Sequence, residues 1–580
     1  VRRLNDYKRF TMAVGTFDIA RLKQLVAQGL KRGASAHTIL DKMRDAADGL
    51  YKPRGYTTHD AEMAYLAKAL GGPRLLFMLN HSLAGLPSAR TIRKHMQVPE
   101  LRPSVSQPTT AEIGANITSF CGPLAVPEPL PRSGHTLVID GIAQESKARY
   151  DATSNQVLGL CREHSHMLDL RVLSVEAVKA IAAALHGDSP CCHYGSEATV
   201  AAMAPFRKDH YTIIPIMVSP TCKAETAEEL AEHILMILRT WHESEDGERR
   251  HGPCWSVGTD GDAKFRTAKF RALTSKTLER GTPLHAKLVW LRGLNLQVGP
   301  YDVTADADPK HIFKRFNTLL CHKDGILVLD TVINRDVLAG HLAKQGMSSE
   351  KIVGLLDPND PQNVPRAVQL LRSVIAIKHI NLQPESSASR YRPDEEKEHR
   401  ALSLLAEVYN TLLTPFITIS MSLRDQFRQL IVYAHLAFYL YRKYRTAFMT
   451  SQLYHDTQHV IKSLTFNIAK QQLLEDTAPF YIIQLGQDRL EVAFADVRTQ
   501  DHASNVDTLS LTRKLGTGCM ISNLNLKHPS WNRGHRRLKF FENDGPDHIN
   551  PASWTGDVTA GSVSLQWDWA HGYSQAVDIL

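Results

Sequence analysis

No run of 18 residues in this chain is free of charged side chains, and the opening VRRLNDYKRF contains no apolar stretch. Neither a membrane-spanning helix nor a secretory leader is therefore expected. The most apolar helical stretch, Gln429 to Arg445, is interrupted by His435 and ends in basic residues, as a helix buried in protein does. Cysteine is sparse. Eight residues in 580, without repeating spacing, speak against a disulfide framework and for reduced thiols in a cytosolic or nuclear protein. Low-complexity segments are absent, and 22% charged with 43% hydrophobic residues is the balance of a folded chain with room for several cores. There is no G-x-x-x-x-G-K-[ST] loop, so no phosphate-loop nucleotide site is expected.

The basic excess is confined to the front. Residues 1–100 hold 17 Lys and Arg against 8 Asp and Glu, whereas the remaining 480 hold 51 against 52. Such a local surplus attracts phosphate, although a solvated helical surface gives the same count. In this region apolar residues recur at helical spacing over Phe17 to Gln28, Ser35 to Ala47 and Thr58 to Leu70, with Gly71 and Gly72 as a break. Arg74 to Leu83 and Ala89 to Met96 then flank the turn GLPS, with Ser88 as N-cap. That pair can form a helix-turn-helix presenting Arg90, Arg93 and Lys94 to a DNA groove or to phosphates.

Residues 99–132 are rich in Pro, Ser and Thr and read as a linker. Strand signals begin at HTLVID (135–140), continue in two extended stretches about DATSN (151–155) and in HYTIIPIMVSP (210–220), and resume at CWSVGTD (254–260) after a helix from Ala224 to His242. A basic helix, Lys264 to Leu273, follows. Strands mixed with helices in this order predict a layered α/β unit. From about 310 to 480 the pattern turns helical, with Asn363 to Ile377, Glu396 to Leu413, Ser422 to Ala447 and Ser451 to Leu474 as helices, so a helical block interrupts the α/β unit.

Asp140 and Asp260 each close a hydrophobic strand signal, where side chains leave a core and can converge. Carboxylates brought together from separate elements hold hard divalent cations for phosphodiester chemistry. Asp262 is the alternative to Asp260, as an outer ligand or supporting group, and an ordinary acid capping a strand-end turn explains either one. Glu491 lies early in a helix whose buried stripe is Leu490, Phe494 and Val497; it shares a polar flank with Arg498, which suits a phosphate contact. A surface salt-bridge partner gives the same spacing.

The segments VIDG with Asp140, VGTDGDAKFR with Asp260, YDVTADADPKHIFKRFNTLL, LLDPNDPQNVPRAVQLL and FYIIQLGQDRLEVAFADVRTQDHASN together resemble the transposase core of fungal Kyakuja-Dileera-Zisupton elements, and more distantly P-element-type transposases. The resemblance spans about residues 75 to 570. It implies a ribonuclease-H-like α/β core interrupted by a large all-helical insertion and preceded by a helical domain. It further implies a DDE centre of Asp140, Asp260 and Glu491 binding two Mg²⁺ or Mn²⁺ ions, for hydrolysis and strand transfer at transposon-end DNA. Asp308 and His311 fall on the family's acid and histidine and would support the site, with Lys314 and Arg315 toward DNA. LPSARTIRKH looks like the end of the helix-turn-helix region that precedes such cores.

The expected organisation is a helix-turn-helix-like DNA-binding domain over 1–98, the linker over 99–132, the first part of the core over 133–320, the insertion over 321–479, the closing part over 480–515 and an irregular packed tail over 516–580. The expected partners are double-stranded transposon ends and target DNA, with a homo-oligomer, preferably a dimer, acting in the nucleus. A catalytically silent DNA-binding or chromatin-scaffolding descendant, or a nuclease of the same fold without transposition, are the competing functions. Cys191, Cys192 and His193, together with Cys161, His164 and His166 of CREHSH, raise the question of zinc. The adjacent cysteines do not make the usual C-x₂₋₄-C pair, so structural zinc is not expected.

Overall fold

The computed structural model describes residues 2–580 apart from 17, 53, 54, 83, 97, 123–132, 209–211, 361, 379–392, 501–504 and 532–548. Parts of the expected linker, of the strand begun at His210 and of the last family-like segment thus lie outside the described residues. The chain divides into two compact units, one of residues 1–100, 496–504 and 516–529, the other of residues 101–495, 505–515 and 530–580.

The smaller unit is helical. Helices Arg2–Thr16, Leu22–Lys31 and Ala36–Ala47 share a core of Ala13, Ile19, Leu25, Ile39, Leu40 and Met43. The sequence pattern started its first helix at Phe17; the structure has one helix before that point and the next beginning at Leu22. Thr57 caps the helix Thr58–His81 through a reciprocal capping box with Asp60. Gly72 breaks that helix at φ 76°, ahead of Pro73, which bears out the glycine break. Ser88 accepts the Thr91 amide at 3.4 Å and starts the short helix Ala89–His95, which buries Ile92.

The larger unit is organised by one five-stranded sheet: β1 (His135–Ala143), β2 (Glu197–Pro205), β3 (Ile214–Thr221), β4 (Cys254–Thr259) and β5 (Thr304–Ala307). Their spatial order is β3-β2-β1-β4-β5, with β1 to β3 an antiparallel meander and β1, β4 and β5 parallel. This is the ribonuclease-H-like sheet. Its strands are buried along nearly their whole length because helices cover it. On one side lie Thr110–Cys121 and α1 (Ala227–Glu243), whose Trp241 is fully buried and donates its indole N–H to the Gly252 carbonyl at 3.0 Å. α2 (Ala263–Leu273) and α3 (Pro309–Cys321) follow β4 and β5.

Three expectations change here. The stretch 99–132 is not simply a linker: helix Thr110–Cys121 packs on β3, and Asn116 bonds both Arg102 and the Ile216 carbonyl. Strand β2, EATVAAMAP, had no β-branched or aromatic signal strong enough to be read, yet it is the fully packed neighbour of β1. The tail over 516–580 is not irregular throughout, since helices Thr508–Lys527 and Leu565–Ile579 occupy much of it; the latter packs on Leu423–Tyr444.

The helical insertion forms as the pattern predicts, with helices Val364–Ile377, Pro393–Ile417, Leu423–Tyr444 and α4 (Ser451–Leu474), and a short hairpin of Ile326–Val328 with Thr331–Ile333. Its core is continuous with the layer under β4 and β5. α4 lies against β5, where Lys470 donates to the carbonyls of Trp255 at 3.0 Å and Asp302 at 2.6 Å, and Asn467 reaches the Ser256 hydroxyl at 3.4 Å. No helix among the described residues is long and apolar enough to cross a membrane. Replacing Trp241 by Ala removes a buried indole and its hydrogen bond together; a loss of about 3–5 kcal/mol is expected, measured by denaturant unfolding against wild type.

Candidate functional site

The three parallel strands fix the register of the site. Ile139 on β1 pairs with Thr259 on β4, and Thr259 with Ala307 on β5. The next residue on each is an acid: Asp140, Asp260 and Asp308. Three carboxylates therefore stand level at one sheet edge. Asp140 is not at its strand's end, since β1 runs on to Ala143 against β2; it lies where its parallel neighbour β4 stops.

Asp308 is 2% exposed and fully engaged. One oxygen caps α3 by accepting from the amides of Lys310 and His311 at 2.8 and 3.3 Å, and the other accepts the Gln487 amide at 3.0 Å. Asp306, also buried, accepts the Gly486 amide at 3.0 Å. These two acids clamp the Gly486–Gln487 turn against the sheet. Gly486 has φ 78°, and a Cβ there would stand 2.7 Å from the Asp308 carboxylate, so the position calls for glycine. The turn starts α5 (Asp488–Thr499), which carries Glu491. Arg489, 4% exposed, fixes the same helix to the end of β2 through the carbonyls of Pro205 at 2.6 Å and Ala204 at 3.3 Å. Lys310 pairs with Asp488.

Glu491 thereby comes to the edge held by the aspartates. Burial pushes the Asp140 carboxyl up to about 7; the Gly141 amide opposes this, while the charges of Asp260 and Glu491 raise it further and His311 lowers it. That influence on Asp140 from three other elements places Asp140, Asp260, Glu491 and His311 in one electrostatic neighbourhood. Burial, then Asp308, also raises Glu491. Burial disfavours charge on His311, yet its contact with Asp308 at 3.5 Å, and Glu491 at 4.0 Å, hold it above the usual imidazole range. Asp308 stays below the carboxylate range despite burial, because His311, Lys310 and the Gln487 amide favour its charge.

The other expected residues divide. Asp262 is the N-cap of α2, accepting from Lys264 at 2.8 Å and Phe265 at 3.1 Å, and its own amide donates to Asp260 at 3.1 Å. Arg315 is ion-paired with Asp456 of α4, which also takes Arg266 at 2.9 Å; Arg266 returns to the Gly261 carbonyl at 2.7 Å and so steadies the Asp260 turn. Lys314 bonds the Gln362 side chain at 3.0 Å. Arg498 is exposed in the last turn of α5, and Arg90, Arg93 and Lys94 are exposed on helix Ala89–His95; all four belong to the smaller unit. Sequence reasoning missed Asp306, Gly486, Arg489, Arg266 and Asp456, each defined by a partner far along the chain.

A chain of the Drosophila P element transposase strand transfer complex superposes on this one with a TM-score of 0.52, over 83% of this chain and 95% of that one, at 12% sequence identity. The likeness is one of fold. No model of a known family matches the chain, and no curated protein matches it.

The expectation that structural zinc has no place is overturned. One ligand atom from each of Cys161, His164, His193 and Cys222 lies within 4.8 Å of the others. The local pair pattern looked for in the sequence is absent because the donors come from three separated segments.

Burial pushes Asp306 up to about 7 against the Gly486 amide and nearby Lys269. Its folded value exceeds that of the unfolded chain, so its proton stabilises the fold at pH below about 4, and that contribution is lost as pH rises through about 7. Asp306→Asn keeps an acceptor for Gly486 and has no proton to lose. Its Tm relative to wild type is therefore expected to climb between pH 4 and 7 and then level off; a difference independent of pH contradicts this reading.

Proposed function

We propose that this chain is a DNA-cutting and DNA-joining enzyme of the P-element transposase type, with Asp140, Asp260 and Glu491 as its metal-binding catalytic carboxylates. The observation that carries the reading is the level placement of Asp140 and Asp260 on adjacent parallel strands, with Glu491 brought to them by the clamped turn. The fold shared with the P element transposase supports it. The narrower kinship with fungal Kyakuja-Dileera-Zisupton elements rests on the sequence segments alone.

The donor set fits a hard divalent cation such as Mg²⁺: half-buried carboxylate oxygens from three elements, with the charges of Asp260 and Glu491 adding to burial in raising Asp140, are what a cation relieves. Bound there, such ions supply an activated water or 3′-hydroxyl and neutralise charge on the phosphate. The chain's own residues do the positioning. The two buried aspartates hold the Glu491 helix, Arg266 holds the Asp260 turn, and His311 stands between Asp308 and Glu491 as a positive neighbour. Arg90, Arg93 and Lys94 would grip DNA phosphates, as would Lys314 and Arg498, and Arg315 on release from Asp456. Bringing two transposon ends together gives the reason for a dimer, and chromosomal DNA for a nuclear location.

Two experiments test this. Purified protein is incubated with candidate transposon-end duplexes and Mg²⁺ or Mn²⁺; Asp140→Ala, Asp260→Ala and Glu491→Ala are each expected to lower cleavage on the order of a thousandfold or more while end binding persists. Specific binding by wild type with no metal-dependent cleavage or joining would point to a silent descendant instead. In the second, replacing Arg90, Arg93 and Lys94 together by Ala is expected to weaken DNA binding and reduce the slope of log affinity against log salt by about 2–3; an unchanged slope removes that helix from the interface.

A further inference from the structure

Between β1 and β2 the chain makes an excursion over residues 144–196. It consists of a hairpin, Arg149–Asp151 with Gln156–Leu158, the short helix Arg162–Ser165 and the helix Val175–His186. Its own buried cluster is Leu160, Leu170, Ile181, Ala184 and Cys192. Five side chains make a core too small to order such a module unaided, and modules of this size commonly need a staple.

The staple is where the excursion meets the sheet. Leu160 bridges Tyr194, the Cys161 amide donates to the His193 carbonyl at 2.9 Å, and the Ser196 amide donates to Thr221 at 3.1 Å. Three chain segments thus reach the same corner, bearing Cys161 with His164, then His193, then Cys222. His164 Nδ1 lies 3.2 Å from Cys161 Sγ and 3.7 Å from Cys222 Sγ, and the rings of His164 and His193 cross at 80° with centroids 4.5 Å apart. Metal–sulfur and metal–nitrogen bonds of about 2.3 and 2.0–2.1 Å set ligand separations of roughly 3.3–3.8 Å around a tetrahedral zinc. The donors therefore stand close to bonding separation already.

We propose that Cys161, His164, His193 and Cys222 bind one structural zinc ion. Two thiolates and two imidazoles, with no carboxylate among the four, select zinc over the hard cations suited to the Asp140 edge. The surroundings are built to hold the ligands. Arg162, 1% exposed, makes a two-pronged ion pair with Glu225 and donates to the Ser219 carbonyl at 3.0 Å. Glu163 accepts the Cys222 amide at 3.2 Å and the Thr221 hydroxyl. Every residue of the run Cys161-Arg162-Glu163-His164 is thus engaged with the loop after β3, two as ligands and two as the framework that fixes Cys222. The far side of that loop takes Lys264, whose ammonium donates to the carbonyls of Lys223 at 2.7 Å and Glu225 at 2.8 Å at the start of α2, directly after the Asp260 turn. The ion fastens the excursion to the sheet through this loop.

The competing chemistry is a disulfide between Cys161 and Cys192, two buried cysteines whose thiols shift one another's ionisation. The test uses the full chain purified under reducing conditions without chelator. One zinc per chain is expected by elemental analysis. Chelation is expected to release it, lower Tm by at least about 5 °C and expose two further thiols to a thiol reagent, with zinc restoring both. Cobalt reconstitution should give tetrahedral d–d bands with a thiolate charge-transfer band, which the carboxylate edge cannot produce. Cys191→Ser, at an exposed neighbour outside the four, should keep the metal, whereas Cys222→Ser should lose it. Should Cys222→Ser fail to fold, the wild-type metal content and cobalt spectrum decide. Less than stoichiometric zinc after reconstitution, a cobalt spectrum without thiolate bands, or a Cys161–Cys192 disulfide in the folded protein overturns the proposal.

Discussion

Two buried carboxylates closing on the amides of Gly486 and Gln487 hold this site together. A sheet edge with level aspartates is only half of the proposed centre; its other half arrives on a helix separated from the sheet's last strand by the whole insertion. Arg489 ties that helix to the end of β2, and the clamp sets how its first turn meets the sheet, because an amide hydrogen bond to a buried carboxylate is short, directional and costly to break in a low-dielectric surrounding. Gly486 then lets the backbone pass close to Asp308, where a side chain would collide.

The same clamp creates an electrostatic problem. It crowds Asp306, Asp308 and Asp488 near Glu491, Asp140 and Asp260. The chain answers with cations that are themselves constrained: Lys310 on Asp488, His311 beside Asp308 and Glu491, and Lys269, buried and pushed down to about 8 by desolvation, on the Asp306 carbonyl. Asp308 has its charge satisfied by hydrogen bonds and stays ionised, whereas Asp140 has, among the described residues, only the adjacent Gly141 amide and is driven toward the neutral form. Environment separates a structural acid from an acid left open to a ligand.

How much of this the sequence disclosed follows from how far each signal reaches. HTLVID and CWSVGTD are hydrophobic runs ending in an acid, and β1 and β4 were legible from them; the helix that carries Glu491 was legible because Leu490, Phe494 and Val497 mark a buried stripe, as they do in the structure, while the choice of Glu491 itself rested on the family-like segments. The alanine-rich β2 was not, since its burial on both faces comes from neighbours and not from its own alternation. Asp306 and Arg489 look unremarkable in sequence because their meaning lies in partners on other elements. The four-donor cluster escaped for the same reason: two donors share one turn, and the others come from loops that only the pairing of β2 with β3 and the Leu160 bridge draw together.

α4 is the last helix of the insertion by sequence order, yet its lysines and Asn467 are bonded into the backbone and side chains of β4 and the segment before β5. Lys470 is so deeply set that desolvation brings it down to about 7. The seam between core and insertion therefore does not coincide with any cut in the chain. One helix lying between β5 and the glutamate helix in the chain thus serves as the floor of the sheet. A change of position in the helical block would reach the acid edge by pulling on that floor, through Asp456 and the two arginines that grip it.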